Sequence, residues 1–191
     1  MTRRRAVAVA WLVAFAGVGA IVRRRGTTAA ELRCFALVNG LSHRAHVLVW
    51  LPMQLGSLGG PLAVGAALRA AGRPRLGARV AAVGAFTWVA ARAVKPLVRR
   101  PRPAHDIPAT RVLGAAQAGL GYPSGHAAVA AATVAVAAPH LPRRWRPAAW
   151  ATALAVGPMR AYVGAHLPLD VAGGIALGLA IGTAARVTDR A

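Results

Sequence analysis

Three short segments hold the side chains most able to handle a phosphate group. "KPLVRRPRP" sets Lys95 and Arg102-Pro103 with six residues between them, "GYPSGH" runs from Gly121 to His126, and "MRAYVGAHLPLD" runs from Met159 to Asp170. Lys95 is the only lysine; every other one of the 24 Lys and Arg positions is arginine. A compact ammonium is therefore preferred at that point over a guanidinium fork, although a snorkelling anchor at a helix end would look the same. In the second segment Ser124 is a natural N-cap, and the amides beyond it, Gly125 first, are free to meet an anion. His126 then falls in the first helical turn; an ordinary capped helix with an interfacial histidine is the plainer account. In the third, a helix starting near His166 tolerates Pro168 in its first turn and puts His166 and Asp170 on one face at i and i+4. An aspartate beside one imidazole nitrogen fixes the tautomer and leaves the other as nucleophile or base. Arg160 adds a two-pronged donor suited to phosphate. A polar pair capping the last helix is the alternative there.

The elements that must position these groups are apolar. The chain is 57% hydrophobic, with a mean hydropathy of +0.49, and its apolar stretches approach the roughly 20 residues that cross a bilayer as a helix. The expected fold is all-α: a polytopic membrane helix bundle of about six transmembrane helices, a single domain over residues 1–191. The spans are Ala6–Val22, Val47–Leu68, Leu76–Val94, His126–Ala138, Pro147–Met159 and Leu169–Val187, the fourth and fifth being short. A soluble alanine-rich bundle fits less well, because the runs lack a polar stripe. The first span also has the basic start and small residues of a signal peptide, but the cluster Arg23–Arg25 that follows suits a retained span better. The intervening "TTAAELRCFALVNGLSH" suits a surface-lying helix or a plain connector.

The formal net charge of +20 comes from arginine clusters between the apolar runs, without interleaved aromatic residues. That pattern suits membrane-surface anchoring and not nucleic-acid binding. Lone Cys34 excludes an internal disulfide framework. With six spans, Lys and Arg divide evenly between the two sides; setting aside Lys95, Arg102 and Arg160 as functional tips the balance toward cytoplasmic chain ends, with the three segments on the outer face of a bacterial cell membrane. Gly174, Gly178 and Gly182 form a close-packing face, for the bundle interior or for a homodimer.

In this order and spacing, Lys95 with Arg102-Pro103, then Pro123-Ser124-Gly125-His126, then Arg160, His166 and Asp170 closely resemble the three-part signature of the type 2 phosphatidic acid phosphatase family, whose superfamily includes the vanadium haloperoxidases. The motifs cover Lys95 to Asp170. One position departs: the family usually has Ser where this chain has Met159, which puts a supporting hydrogen bond in question. The resemblance implies a membrane lipid phosphatase. His166 would be the nucleophile that forms a phosphohistidine, with Asp170 orienting it and His126 protonating the leaving oxygen. Lys95, Arg102, Ser124, Gly125 and Arg160 would hold the phosphate. Neither a metal nor another cofactor is expected, since the remaining acids, Glu31, Asp106 and Asp189, do not make the oxygen cluster that magnesium wants. His105 and Asp106 suit a turn. The expected partners are membrane lipids and a lipid phosphate or diphosphate: a polyprenyl diphosphate, phosphatidic acid or phosphatidylglycerol phosphate. A non-catalytic lipid-phosphate binding or transport protein and a vanadate-dependent haloperoxidase-like enzyme are the alternatives.

Overall fold

The computed structural model describes residues 3–115 and 117–186, and every regular element among them is helical. The order is α1 (Arg3–Arg25), α2 (Ala29–Asn39), α3 (His46–Met53), α4 (Gly59–Ala70), α5 (Pro74–Val98), α6 (Pro103–Asp106), α7 (Gly125–Ala137), α8 (Arg146–Tyr162) and α9 (Pro168–Ala185). All six expected spans are helical. Among the described residues three segments are long and apolar enough to cross a membrane: α1, the stretch Pro74–Asp106 built on α5, and α9; a fourth is added if α3 and α4, bent by 73° at Ser57-Leu58, count as one broken span. The 13 residues of α7 reach only about 20 Å at ~1.5 Å per residue, short of a hydrocarbon core of roughly 30 Å. Val187 and Asp189 lie outside the described residues.

Burial identifies the centre. Nearly every residue of α7 is enclosed, from Ala127 to Val136, and its uniformly small side chains let neighbours approach closely. On α9, a Cβ on Gly174 would lie 2.4 Å from the Ser124 carbonyl oxygen, one on Gly178 2.1 Å from that of Ala128, and one on Gly182 2.8 Å from the Ala135 methyl. The glycine face is thus filled by α7 of the same chain. The homodimer considered for Gly174, Gly178 and Gly182 is corrected accordingly, because the contact leaves no room for a second helix.

The first helix belongs to this bundle. Phe15 stacks on Tyr122 with centroids 5.8 Å apart, and the Tyr122 hydroxyl donates to the Phe15 carbonyl at 2.9 Å. The α1 backbone thereby backs the loop leading into α7. The segment read as a surface helix or connector forms α2, capped by Thr28, with Glu31, Phe35 and Asn39 turned inward.

Candidate active site

Four helix ends meet at one end of the bundle: the C-terminal ends of α5 and α8 and the N-terminal ends of α7 and α9. They bring all three segments of the sequence together. Asp170 is the third residue of α9, where a carboxylate meets free amides and the positive end of the helix dipole; its Oδ2 accepts from the Leu167 amide at 3.0 Å. The same oxygen lies 3.5 Å from Nδ1 of His166, an approach longer than a formed hydrogen bond. On the other side of the ring, Arg102 Nη1 is 3.3 Å from Nε2. Arginine can only donate, so Nε2 is the acceptor and the ring proton sits on Nδ1, facing Asp170. Burial pushes the His166 imidazole down to about 4, outweighing the opposite pull of Asp170. Near neutral pH the ring is therefore uncharged, with an available lone pair on Nε2.

Asp170 is completely buried, and its charge is answered by a residue absent from the motif pattern. Arg100 Nη1 donates to Asp170 Oδ1 at 3.1 Å and to Glu31 Oε1 at 3.0 Å, while Nη2 donates to Glu31 Oε2 at 2.5 Å and to Thr27 Oγ1 at 3.0 Å. Glu31 Oε1 also takes the amide of Leu169 at 2.8 Å. Glu31, Arg100 and Asp170 thus form a buried chain that ends on His166. Its charges sum to one negative, which favours positive charge appearing on the imidazole. Position 100 is one of two adjacent arginines beside a motif, and position 31 is far away in sequence. The only advance signal was the scarcity of acids, which gives each buried one a need for a partner.

A cavity of about 230 Å³ opens over His166, lined by Lys95, Arg102, Gly125, His126 and Arg160. A second cavity shares Arg102, His126 and Arg160 and extends toward His46, Trp50 and Met53. Arg160 is 3% exposed; its Nη1 has only the Met53 sulfur at 3.4 Å, and Nε and Nη2 have no hydrogen-bond partner. Buried guanidinium donors without an anion are costly, so a negatively charged ligand suits this spot. Met159, where a hydroxyl was looked for, packs beside Met53, Tyr162 and Val163. The flank of Arg160 is therefore apolar.

Lys95 and Ser124 occupy the walls. The Lys95 ammonium donates to the carbonyls of Leu120, Gly121 and Pro123 at 2.6, 3.1 and 3.1 Å. Three donors spread tetrahedrally onto three oxygens explain why lysine, and not a planar guanidinium, stands here. Lys95→Arg is expected to lower kcat/KM about tenfold or more while the protein still folds; full activity in that variant would remove lysine's special role. Ser124 is fully buried, its hydroxyl capping α7 through the Ala127 amide at 3.5 Å. His105 and Asp106 pair with each other at 2.6 Å on the exposed α6.

The described residues thus form an all-helical bundle of apolar helices with a cationic cavity over a buried, neutral histidine. The chain matches the PAP2 superfamily over residues 75–190 and belongs to it; it is a phosphatase. It is 38% identical over 152 residues to decaprenylphosphoryl-5-phosphoribose phosphatase of Mycobacterium tuberculosis, covering 77% of this chain and 76% of the relative. Its fold is similar to that of a transmembrane PAP2 type phosphatidylglycerolphosphate phosphatase from Bacillus subtilis, with a TM-score of 0.80, 21% identity and 96% of each chain covered. It is also similar to LpxE from Aquifex aeolicus, with a TM-score of 0.73, 24% identity, and 84% of this chain and 96% of that one covered.

Proposed function

We propose that the protein hydrolyses a phosphate monoester carried by a polyprenyl-linked lipid, through a phosphohistidine on His166. The observation that carries this reading is the unsatisfied Arg160 guanidinium, buried in the cavity that His166 lines. The similarity to a decaprenylphosphoryl-5-phosphoribose phosphatase supports the choice of lipid.

Substrate phosphate displaces Arg102 from Nε2 and settles between Arg102, Arg160 and the amide of Gly125 at the start of α7. Lys95 adds its charge and holds the loop of residues 120–123, and Ser124 fixes the helix end. Nε2 of His166 attacks phosphorus in line; the P–N bond forms as the bond to the leaving oxygen breaks. His126 delivers the proton to that oxygen, leaving the alcohol. Water then attacks phosphorus, gives its proton to His126, and frees phosphate and His166. The positive charge on the phosphorylated ring is stabilised by Asp170 and the Glu31–Arg100 pair behind it. Cationic side chains supply the electrostatic role a metal would otherwise take, and among the described residues no three His, Cys, Asp or Glu side chains are grouped to bind one.

In the proposed topology all six segments cross the bilayer. The short α7 and α8 are extended by the turns Ala138–His140 and Arg143–Trp145, and the site opens on the outer face of a bacterial cell membrane. The test is phosphate release by purified protein from polyprenyl-phosphoryl-5-phosphoribose, polyprenyl diphosphate, phosphatidic acid and phosphatidylglycerol phosphate, in chelator. Fastest turnover of the first is expected, and no release from any of them would overturn the proposal.

A further inference from the structure

One side of α5 carries two groups, Trp88 and Arg92, that the chemistry above does not use. Trp88, Arg92 and Lys95 follow at i, i+4 and i+7, and all three line the cavity over His166. The Arg92 guanidinium carbon sits 4.3 Å from the centroid of the Trp88 ring. Arg92 is exposed, and no ion pair among the described residues includes it. Arginine on a membrane-spanning helix is unfavourable unless it reaches the interface or meets an anion. Here it is held against an aromatic face that restricts its freedom, at the wall of a cavity whose other cations already suffice for one phosphate.

Resting on the proposed function, we infer that Arg92 and Trp88 form a second anion subsite, which reads the phosphodiester linking a sugar to its lipid while the sugar's phosphate monoester reacts at His166. Arg92 lies three residues before Lys95, about 4.5 Å back along the helix axis and away from the helix end where the monoester binds. A cavity of about 230 Å³ has room for roughly eight waters at ~30 Å³ each, more than a single phosphate fills. A two-phosphate substrate therefore spans from Arg102 and Arg160 to Arg92, with the sugar between and the lipid chain leaving alongside α5. The diester keeps its single negative charge through the reaction, so the product retains this contact.

The experiment compares Arg92→Ala and Arg92→Lys with wild type on polyprenyl-phosphoryl-5-phosphoribose and on phosphatidic acid, which has no second phosphate. Arg92→Ala is expected to lose kcat/KM on the two-phosphate lipid by a factor about tenfold or more greater than on phosphatidic acid, with partial recovery in Arg92→Lys. The product polyprenyl-phosphoribose, which keeps only the diester, is expected to inhibit wild type, with its inhibition constant rising about tenfold in Arg92→Ala. Equal losses on both substrates, as for an interface anchor, or an unchanged inhibition constant would overturn the subsite. A wild type inactive on every lipid phosphate would instead overturn the function on which it rests.

Discussion

His166→Ala is expected to reduce phosphate release from every accepted lipid phosphate by about 10³-fold or more in kcat, since in the proposed mechanism it removes the nucleophile and leaves only what positioning and charge can do for water. Arg102 at 3.3 Å makes Nε2 of His166 an acceptor and so places the ring proton on Nδ1, which faces Asp170 Oδ2 at 3.5 Å. Wild type quenched into alkali during turnover should carry phosphate on histidine, and His166→Ala should carry none. A His166→Ala variant as active as wild type, or a wild type that never labels, would sink the covalent route.

Arg100→Met is expected to be the most destabilising single change at the site. It leaves two carboxylates, Glu31 and Asp170, buried and uncompensated, with side-chain exposures of 3% and 0%. Breaking a buried pair by removing one partner costs about 3–5 kcal/mol, which for a chain of this size lowers the melting temperature on the order of 10 °C. Adding Glu31→Gln to Arg100→Met should recover part of the loss, because the two positions are coupled. The neighbouring Arg99→Met, on an exposed side chain, should change little. Melting of Arg100→Met within 2 °C of wild type would show that the network is not a source of stability.

These two residues also mark where sequence alone sufficed and where it did not. His166 and Asp170 do face each other across four positions, but not on one helix as expected: α9 begins at Pro168, Leu167 is its extended N-cap, and His166 lies ahead of it; Lys95 stood out as the one lysine, and both relations are local. Arg100 does not stand out, because an arginine beside a span end resembles an anchor until its burial is known. Glu31 meets it only when α2 folds against α8 and α9, a contact that no periodicity encodes. Likewise the spacing of Gly174, Gly178 and Gly182 identified a packing face but not its occupant, since α7 and a second copy would require the same small residues. The apolar helices were legible from hydropathy. Among the described residues three of them, or four with the bent pair, are long and apolar enough to cross the bilayer, while α7 stops at Ala137, where the turn Ala138–His140 with Pro139 follows.

The inward placement of Glu31 and Asp170 has an outward effect. Of the four acids in the chain, two are committed to the interior. Among the described residues that leaves Asp106, paired with His105, as the only acid outside. Almost nothing on the described surface interrupts the field of the arginines, so the protein should gather anionic lipids around itself before any of them reaches the cavity. Over a screening length of about 8 Å at physiological ionic strength, this enrichment is confined to the first lipids at the protein's edge. Substrate capture should therefore weaken with added salt, and weaken again in membranes rich in other anionic lipids, which compete for the same arginines.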